Sequence, residues 1–286
     1  DPGGTRRWVN AFIHARRLLG QQSFECFAGE EVLDELEPTG DQMAWRGAIP
    51  DDWLQGRTAY GGLSAAIALH CAMQLEDDLP PLRSAQVSFI GPLSGPIMVT
   101  AHKLRRGKNA AFIQADVESE AGLGLRCTFV FMRAIESEVD YQTTDLPDFP
   151  RPGPNDTTFK GNPHVAFTRN FEFLDRREGP ALKPAEWLRW TRLNERDGLD
   201  PMVELIAIGD CLPPAALRLL GRNVPMSSMT WILNVLGPAP STEDGWWLLR
   251  SNADYARAGS SSQQMGIWNA AGEMVAEQMQ SVALFA

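Results

Sequence analysis

The apolar positions along the chain fall into two rounds of one pattern. In the first, the stretch from Gly61 to Leu75 carries Ala65, Ala66, Ala68, Leu69, Ala72 and Met73 around most of a helical circumference, which predicts a helix buried on all sides. Short β-rich runs follow at Val87 to Ile90, Ile97 to Ala101, Phe112 to Val117 and Cys127 to Phe131, punctuated by Pro92, Gly95-Pro96, Gly107 and Ala121-Gly122. The second round opens with an apolar helix from Pro201. It continues through strands at Met229 to Trp231, Met265 to Trp268 and Val282 to Phe285, with turns at Ala258-Gly259 and Ala271-Gly272. Gly107 recurs as Gly259 and Gly122 as Gly272, so the copies keep their internal spacing within two residues. A helix-then-sheet unit written twice predicts an α+β chain of two similar modules packed as a pseudo-dimer, in each of which a sheet wraps a buried helix.

The rounds are separated by Glu136 to Pro163, where Glu136, Glu138, Asp140, Asp145 and Asp148 mix with Pro147, Pro150, Pro152 and Pro154. That composition buries too little apolar surface to fold alone and predicts a linker over the outside. Beyond it, Phe167 to Asp175 alternates apolar and polar, and Trp187 to Thr191 reads as a further strand. The expected organisation is an N-terminal helical extension over 1–23, a first module over 24–134, an acidic, proline-rich linker over 135–163 and a second module over 164–286. Within the extension, Arg6, Arg7, Arg16 and Arg17 beside Trp8, Val9, Phe12 and Ile13 resemble a transit peptide in lacking acids, although an amphipathic helix lying on the body is the reading preferred here.

Composition narrows the function. A formal net charge of −10 argues against general nucleic-acid binding and against an anionic membrane surface. No apolar run reaches the roughly 18 residues of a membrane span. Cys26, Cys71, Cys127 and Cys211 are far apart and lack zinc-ligand spacing, so they read as small buried hydrophobes of a cytoplasmic protein, with no metal or other cofactor expected. GxGxxG, P-loop and GxSxG patterns are all missing.

Three segments carry a family likeness. Gly56-Arg57-Thr58-Ala59-Tyr60-Gly61-Gly62 before the alanine-rich helix, Arg83 to Pro92 before Gly95-Pro96, and Ala271 to Ala276 with Gln278 and Gln280 before the last strand together resemble the double-hotdog acyl-CoA thioesterases, including the bacterial type II enzyme. The resemblance runs from about Phe24 to Phe285. It implies two tandem hotdog modules, each an antiparallel sheet around a central helix. It also implies hydrolysis of fatty acyl-CoA to free acid and CoA at a site made of a helix aspartate, a Ser/Thr on the next strand and a glutamine on the last strand. Asp210 falls on the aspartate and Gln280 on the glutamine, whereas Met226 occupies the Ser/Thr position and Asn234 stands where the likeness favours histidine. The expected partner is an acyl-CoA substrate, with a homo-oligomer left open.

The residues suit that chemistry. Asp210 interrupts Leu205-Ile206-Ala207-Ile208 and Leu212, so burial is expected to raise its pKa and make it a usable general base. Gln280, on an otherwise apolar strand, is placed to hold the water or the carboxylate. The Tyr60-Gly61-Gly62 turn would aim unpaired helix-terminal N–H groups at the carbonyl oxygen. A thioether cannot replace a hydroxyl, but Ser228 and Thr230 lie at two-residue steps from Met226 and would serve through a bulge or slip, Ser228 foremost. Arg105, Arg106 and Lys108 in one turn are the candidates for the CoA phosphates, with Arg57 and Arg257 behind them. His70, the basis of a dehydratase alternative, reads as a structural histidine, and Cys211 has no neighbouring histidine to make it a nucleophile. Trp53, Trp231, Trp246, Trp247 and Trp268, with Met226, Met229 and Met265, read as core and as candidate lining of an acyl tunnel. A non-catalytic acyl-CoA or acyl-lipid binder is the remaining alternative.

Overall fold

A computed structural model describes residues 42–175, 181–222, 224–237 and 239–286, together with the backbone of 25–27. The expected extension over 1–23 lies outside the described residues. In chain order the strands are β1 (Glu25–Phe27), β2 (Gln42–Ile49), β3 (Leu54–Gln55), β4 (Thr58–Ala59), β5 (Leu82–Phe89), β6 (Gly95–Arg106), β7 (Ala110–Ser119) and β8 (Gly122–Met132). They continue with β9 (Phe171–Asp175), β10 (Glu186–Leu193), β11 (Met226–Val235), β12 (Trp247–Arg257), β13 (Ser260–Trp268) and β14 (Met274–Leu284). Among the described residues, the α-helices α1 (Gly61–Met73) and α2 (Pro201–Gly209) complete the regular framework with three short 3₁₀ turns.

Twelve strands form one antiparallel sheet in the order β1-β2-β6-β7-β8-β5-β11-β14-β13-β12-β10-β9. The order reads the same outward from the β5–β11 seam in either direction, which is the structural counterpart of the repeat. At the seam Val87 pairs with Trp231 and Ala85 with Leu233. Matching the buried positions of the two halves sets Ile113, Ala115, Cys127 and Phe129 against Gln263, Met265, Gln278 and Gln280. The register agrees, since Ile113 faces Phe129 as Gln263 faces Gln280, and Ala115 faces Cys127 as Met265 faces Gln278. A face that is wholly apolar in the first half therefore carries amides in the second.

Local chemistry accounts for the helices. α1 is buried from Gly62 to Ala72 and packs on β6, β7, β8 and α2, its alanines allowing close approach. It ends at Met73, two residues before the predicted Leu75. Its first turn contains no acid, and Tyr60 at the N-cap supplies no side-chain bond. α2 is capped conventionally: the Asp200 carboxylate accepts from the Met202 and Val203 amides at 2.8 and 3.4 Å, and Pro201 opens the helix. Pro213-Pro214 follows, and the chain continues as a 3₁₀ turn over Ala215–Leu219.

The predicted linker does more than cross solvent. Val139 and Tyr141 are exposed, but Phe149 packs edge-on to Trp190, whose indole N–H donates to the Phe149 carbonyl at 3.2 Å. It joins a second apolar cluster of Leu174, Leu188, Trp190, Trp246, Leu248 and Trp268, separate from the main core that holds Trp53, Trp231 and Trp247. The predicted tryptophan set thus divides between two clusters instead of lining one cavity. Met229 is exposed at a bulge and Met226 sits in a small third cluster with Val282 and Leu284.

Candidate functional site

The first amides of α1 need an acceptor that their own chain segment does not provide, and the other half of the sheet supplies it. Asp210, the residue closing α2, reaches the start of α1 and accepts the Gly62 backbone N–H. Its Oδ1 also accepts the Gln280 Nε2–H at 2.7 Å. A carboxylate at this spot stands where a capping acid would, at the positive end of the helix. Both donors favour the ionised form, but desolvation outweighs them and lifts the Asp210 pKa from 3.8 to about 7. Asp210 is only partly buried as a residue, yet its carboxyl lies deep enough for burial to dominate.

Glycine is required at this contact. A Cβ on Gly61 would lie 2.6 Å from Asp210 Oδ2 and 2.7 Å from the Phe89 ring. One on Gly62 would meet the Tyr60 hydroxyl at 2.5 Å and the Ala207 carbonyl at 2.7 Å. Gly61→Ala is therefore expected to displace the carboxylate and lower any Asp210-dependent turnover by about 10². Gly237→Ala, with nothing within 4 Å of the added methyl, is the control. Steady-state kinetics beside circular dichroism distinguish a moved base from an unfolded chain, and equal rates for the two variants would refute the steric argument.

Tyr60 and the Gly62 amide differ from the expectation that both face a substrate oxygen. The Tyr60 hydroxyl donates to the Ala207 carbonyl at 2.8 Å, and its ring stacks on Phe167 at 4.2 Å between centroids, so this side chain clamps α1 to α2. The Gly62 N–H is held by Asp210, and Gly61 precedes it as the first residue of the helix.

The strand residues are set by a bulge in β11. Ser228 pairs with Val282 and Thr230 with Ser281, which makes Met229 the extra residue. Ser228 is thereby turned to the same side as Val282, Gln280 and Trp231, while Thr230 faces outward with Ile232. The bonds to Asp210 and Gln280 come from other residues, and no bond to either is made by the Ser228 hydroxyl.

One further residue belongs to this network. Gln263 on β13 lies directly across from Gln280 and donates from Nε2 to Gln280 Oε1 at 2.7 Å. Its Oε1 accepts the Ala215 backbone N–H at 2.9 Å. Both glutamines are almost fully buried. In the sequence Gln263 sits in Ser260-Ser261-Ser262-Gln263-Gln264, polar on both faces, so alternation marks neither glutamine as inward.

The basic turn lies elsewhere. Arg105, Arg106 and Lys108 join β6 to β7 beside the end of α1, and a 13-residue helix separates that end from Gly61 by about 20 Å. Arg106 pairs there with Asp78 at 2.9 Å and Glu76 at 3.3 Å, so it serves as a partner of the α1 exit and not as a cation facing Asp210. Arg57 is exposed in the β3–β4 turn, four residues before Gly61. His70 is nine residues along α1 from Gly61, about 13 Å away. Burial pushes the Cys211 thiol up to about 12, which leaves it protonated at neutral pH. Among the described residues no group of three His, Cys, Asp or Glu is placed to hold a metal ion, and no helix is long and apolar enough to cross a membrane.

Comparison with known proteins bears directly on this geometry. Residues 49–145 match the family model described as the acyl-CoA thioesterase N-terminal domain, and residues 143–284 match the acyl-CoA thioesterase C-terminal domain. The chain belongs to the acyl-CoA thioesterase family. Both matched domains contribute to the Asp210 network, Gly61 and Gly62 from one, Asp210, Gln263 and Gln280 from the other. Among solved structures, a protein of unknown function with a hot dog fold from Alicyclobacillus acidocaldarius is 21% identical, with TM-score 0.74 over 88% of this chain and 96% of its own. An acyl-CoA thioesterase II from Mycobacterium marinum is 16% identical, with TM-score 0.67 over 94% of this chain and 96% of its own. The tesB protein of Mycobacterium avium subs paratuberculosis is 17% identical, with TM-score 0.68 over 88% and 95%. These likenesses establish the hotdog fold. No curated protein sequence matches the chain.

Proposed function

We propose that this chain is a double hotdog of two tandem modules that hydrolyses a fatty acyl-CoA to free acid and CoA with Asp210 as general base. The observation that carries the reading is the Asp210 carboxylate, buried and shifted to about 7, held between the Gln280 amide and the Gly62 N–H at the start of α1. A base poised near the working pH is worth about 10²–10⁴ in rate. Asp210 takes a proton from water as the water oxygen bonds to the thioester carbon. The carbonyl oxygen gains the negative charge beside the Gly61 amide, where one donor contributes roughly 2.7–4 kcal/mol. When the carbonyl re-forms, the C–S bond breaks and CoA leaves as the thiolate, to be protonated from Asp210 or solvent. Ser228, turned inward by the bulge, is the hydroxyl available to the water, and Arg57 is the cation nearest the turn for the CoA phosphates.

The pH dependence follows with a definite sign. Only the ionised carboxylate accepts a proton, so kcat/KM should rise about tenfold per pH unit below pH 7 and level off above it. A profile measured by thiol release from saturated acyl-CoA that stays flat between pH 5 and 8 removes Asp210 from the rate equation.

The binder alternative is favoured by one observation. Met226, at the family's Ser/Thr position, packs with Val282 and Leu284 and offers no hydrogen-bond donor. Measurable acyl-CoA binding without thiol release at any chain length would select it. The dehydratase reading would need a histidine with the acid, and His70 is at the wrong part of α1 to serve.

A further inference from the structure

The amide network has a direction, and its two ends fix it. A backbone N–H only donates. The Ala215 N–H, first in its 3₁₀ turn and so without a partner within that turn, compels Gln263 to present Oε1 to it at 2.9 Å. The Gln263 Nε2 then points at β14 and is fully used, donating to Gln280 Oε1 at 2.7 Å and to the Met265 sulfur at 3.4 Å. With its oxygen thus occupied, Gln280 offers Nε2 to Asp210 Oδ1 at 2.7 Å. At the far end the Gly62 N–H also only donates, so Asp210 receives donors from both sides. In the first half of the sheet the same cross-strand pair is Ile113 and Phe129, buried and apolar, so sheet packing alone does not demand two glutamines here.

We propose that Gln263 is a positioning residue for hydrolysis, orienting the Gln280 amide so that its N–H and not its carbonyl oxygen faces Asp210. The inference rests on Asp210 being the base. Without Gln263 the Gln280 amide is free to turn over, which would set a carbonyl oxygen against the carboxylate and disfavour its ionised form. The titratable groups that face Asp210 are the Tyr60 hydroxyl and the Cys211 thiol. Both are held protonated across the neutral range by burial, so the amides are the contacts that favour the ionised carboxylate against desolvation.

Two variants test this. Gln263→Leu removes the relay at similar volume. Gln263→Glu keeps the shape and can still accept from Ala215, but its carboxylate cannot donate to Gln280 and so reverses the chain's direction. The expected result is an apparent pKa of kcat/KM raised by about one unit or more in both, with kcat at pH 7 down at least about fivefold and KM little changed. Combining Gln263→Leu with Gln280→Leu should be no worse than Gln280→Leu alone. A residue that merely fills space would lower stability and leave the pH midpoint where it is, and an unmoved midpoint or fully additive losses overturn the proposal. The readout separates from the enzymatic reading as well. If the wild-type chain releases no thiol, the Asp210 carboxyl is titrated by ¹³C NMR in wild type and Gln263→Leu, and an identical midpoint still refutes the relay.

Discussion

Asp210→Asn should lower thiol release from acyl-CoA by at least about 10² while leaving the fold intact. The amide keeps the size of the carboxyl and one acceptor for Gln280 or Gly62, but it cannot take a proton from water. Stability should not fall at pH 8, and linkage gives the reason. The folded-state pKa of about 7 exceeds the ordinary value of 3.8, so between these pH values the folded chain binds a proton that the unfolded chain has lost. Stability therefore declines as pH rises through that window, at about 1.4 kcal/mol per unit, and the ionised base is a burden above it. Replacing it with a neutral amide removes that burden and offsets the donor left facing the new NH₂. The measurements are kcat/KM and thermal midpoint for both proteins at pH 6 and pH 8. An unchanged rate would dismiss Asp210 as the base, and a collapse of the midpoint at both pH values would make it a structural cap.

Trp231→Ala is expected to cost about 3–5 kcal/mol of folding stability. Trp231 is fully buried on β11, opposite Val87 across the seam and Gln280 on the other side. Its indole N–H donates to Gln278 Oε1 at 2.8 Å, and its ring lies against Gly209, where an added Cβ would come within 3.0 Å. Truncation removes that packing and leaves the Gln278 oxygen without its donor, which adds to the loss. Against a typical margin of about 5–15 kcal/mol this is a large fraction. Met229→Ala at the exposed bulge should fall within about 0.5 kcal/mol of wild type. Urea unfolding of both variants decides it, and a loss under about 1 kcal/mol for Trp231→Ala would mean that the seam contributes little to cohesion.

Much of this was legible because the informative residues break their local pattern. Asp210 is a charge within an apolar helix, Gln280 an amide on an apolar strand, and Gly61-Gly62 a pair of small residues before an alanine-rich helix. The burial of Asp210 is read from that break in pattern, whereas its meeting with Gln280 is what the family resemblance implies. Gln263 was hidden because its strand is polar at both parities, and the bulge allowed for in β11 could not be placed at Met229 because Ser227, Ser228 and Thr230 give no alternation to locate it. In Arg105-Arg106-Gly107-Lys108, the sequence does not show that Arg106 is already paired with carboxylates. Glu76 and Asp78, which meet Arg106, are nearly thirty residues away in sequence and come alongside only when α1 and β6 pack. The tryptophans do not share a cluster: Trp190, Trp246 and Trp268 pack together with Phe149 against them, apart from the core that holds Trp53, Trp231 and Trp247.

The pairing of a glycine turn from one repeat with a carboxylate and two glutamines from the other makes the proposed reaction centre a shared possession. Each polypeptide should then titrate with a single tight-binding inhibitor equivalent, despite its twofold architecture. Either repeat expressed by itself should be inert, and coexpressing the two severed pieces should restore hydrolysis only where they reassociate along the β5–β11 edge. On that reading the first repeat needs no amides of its own, and it carries Ile113 and Phe129 where the second carries Gln263 and Gln280.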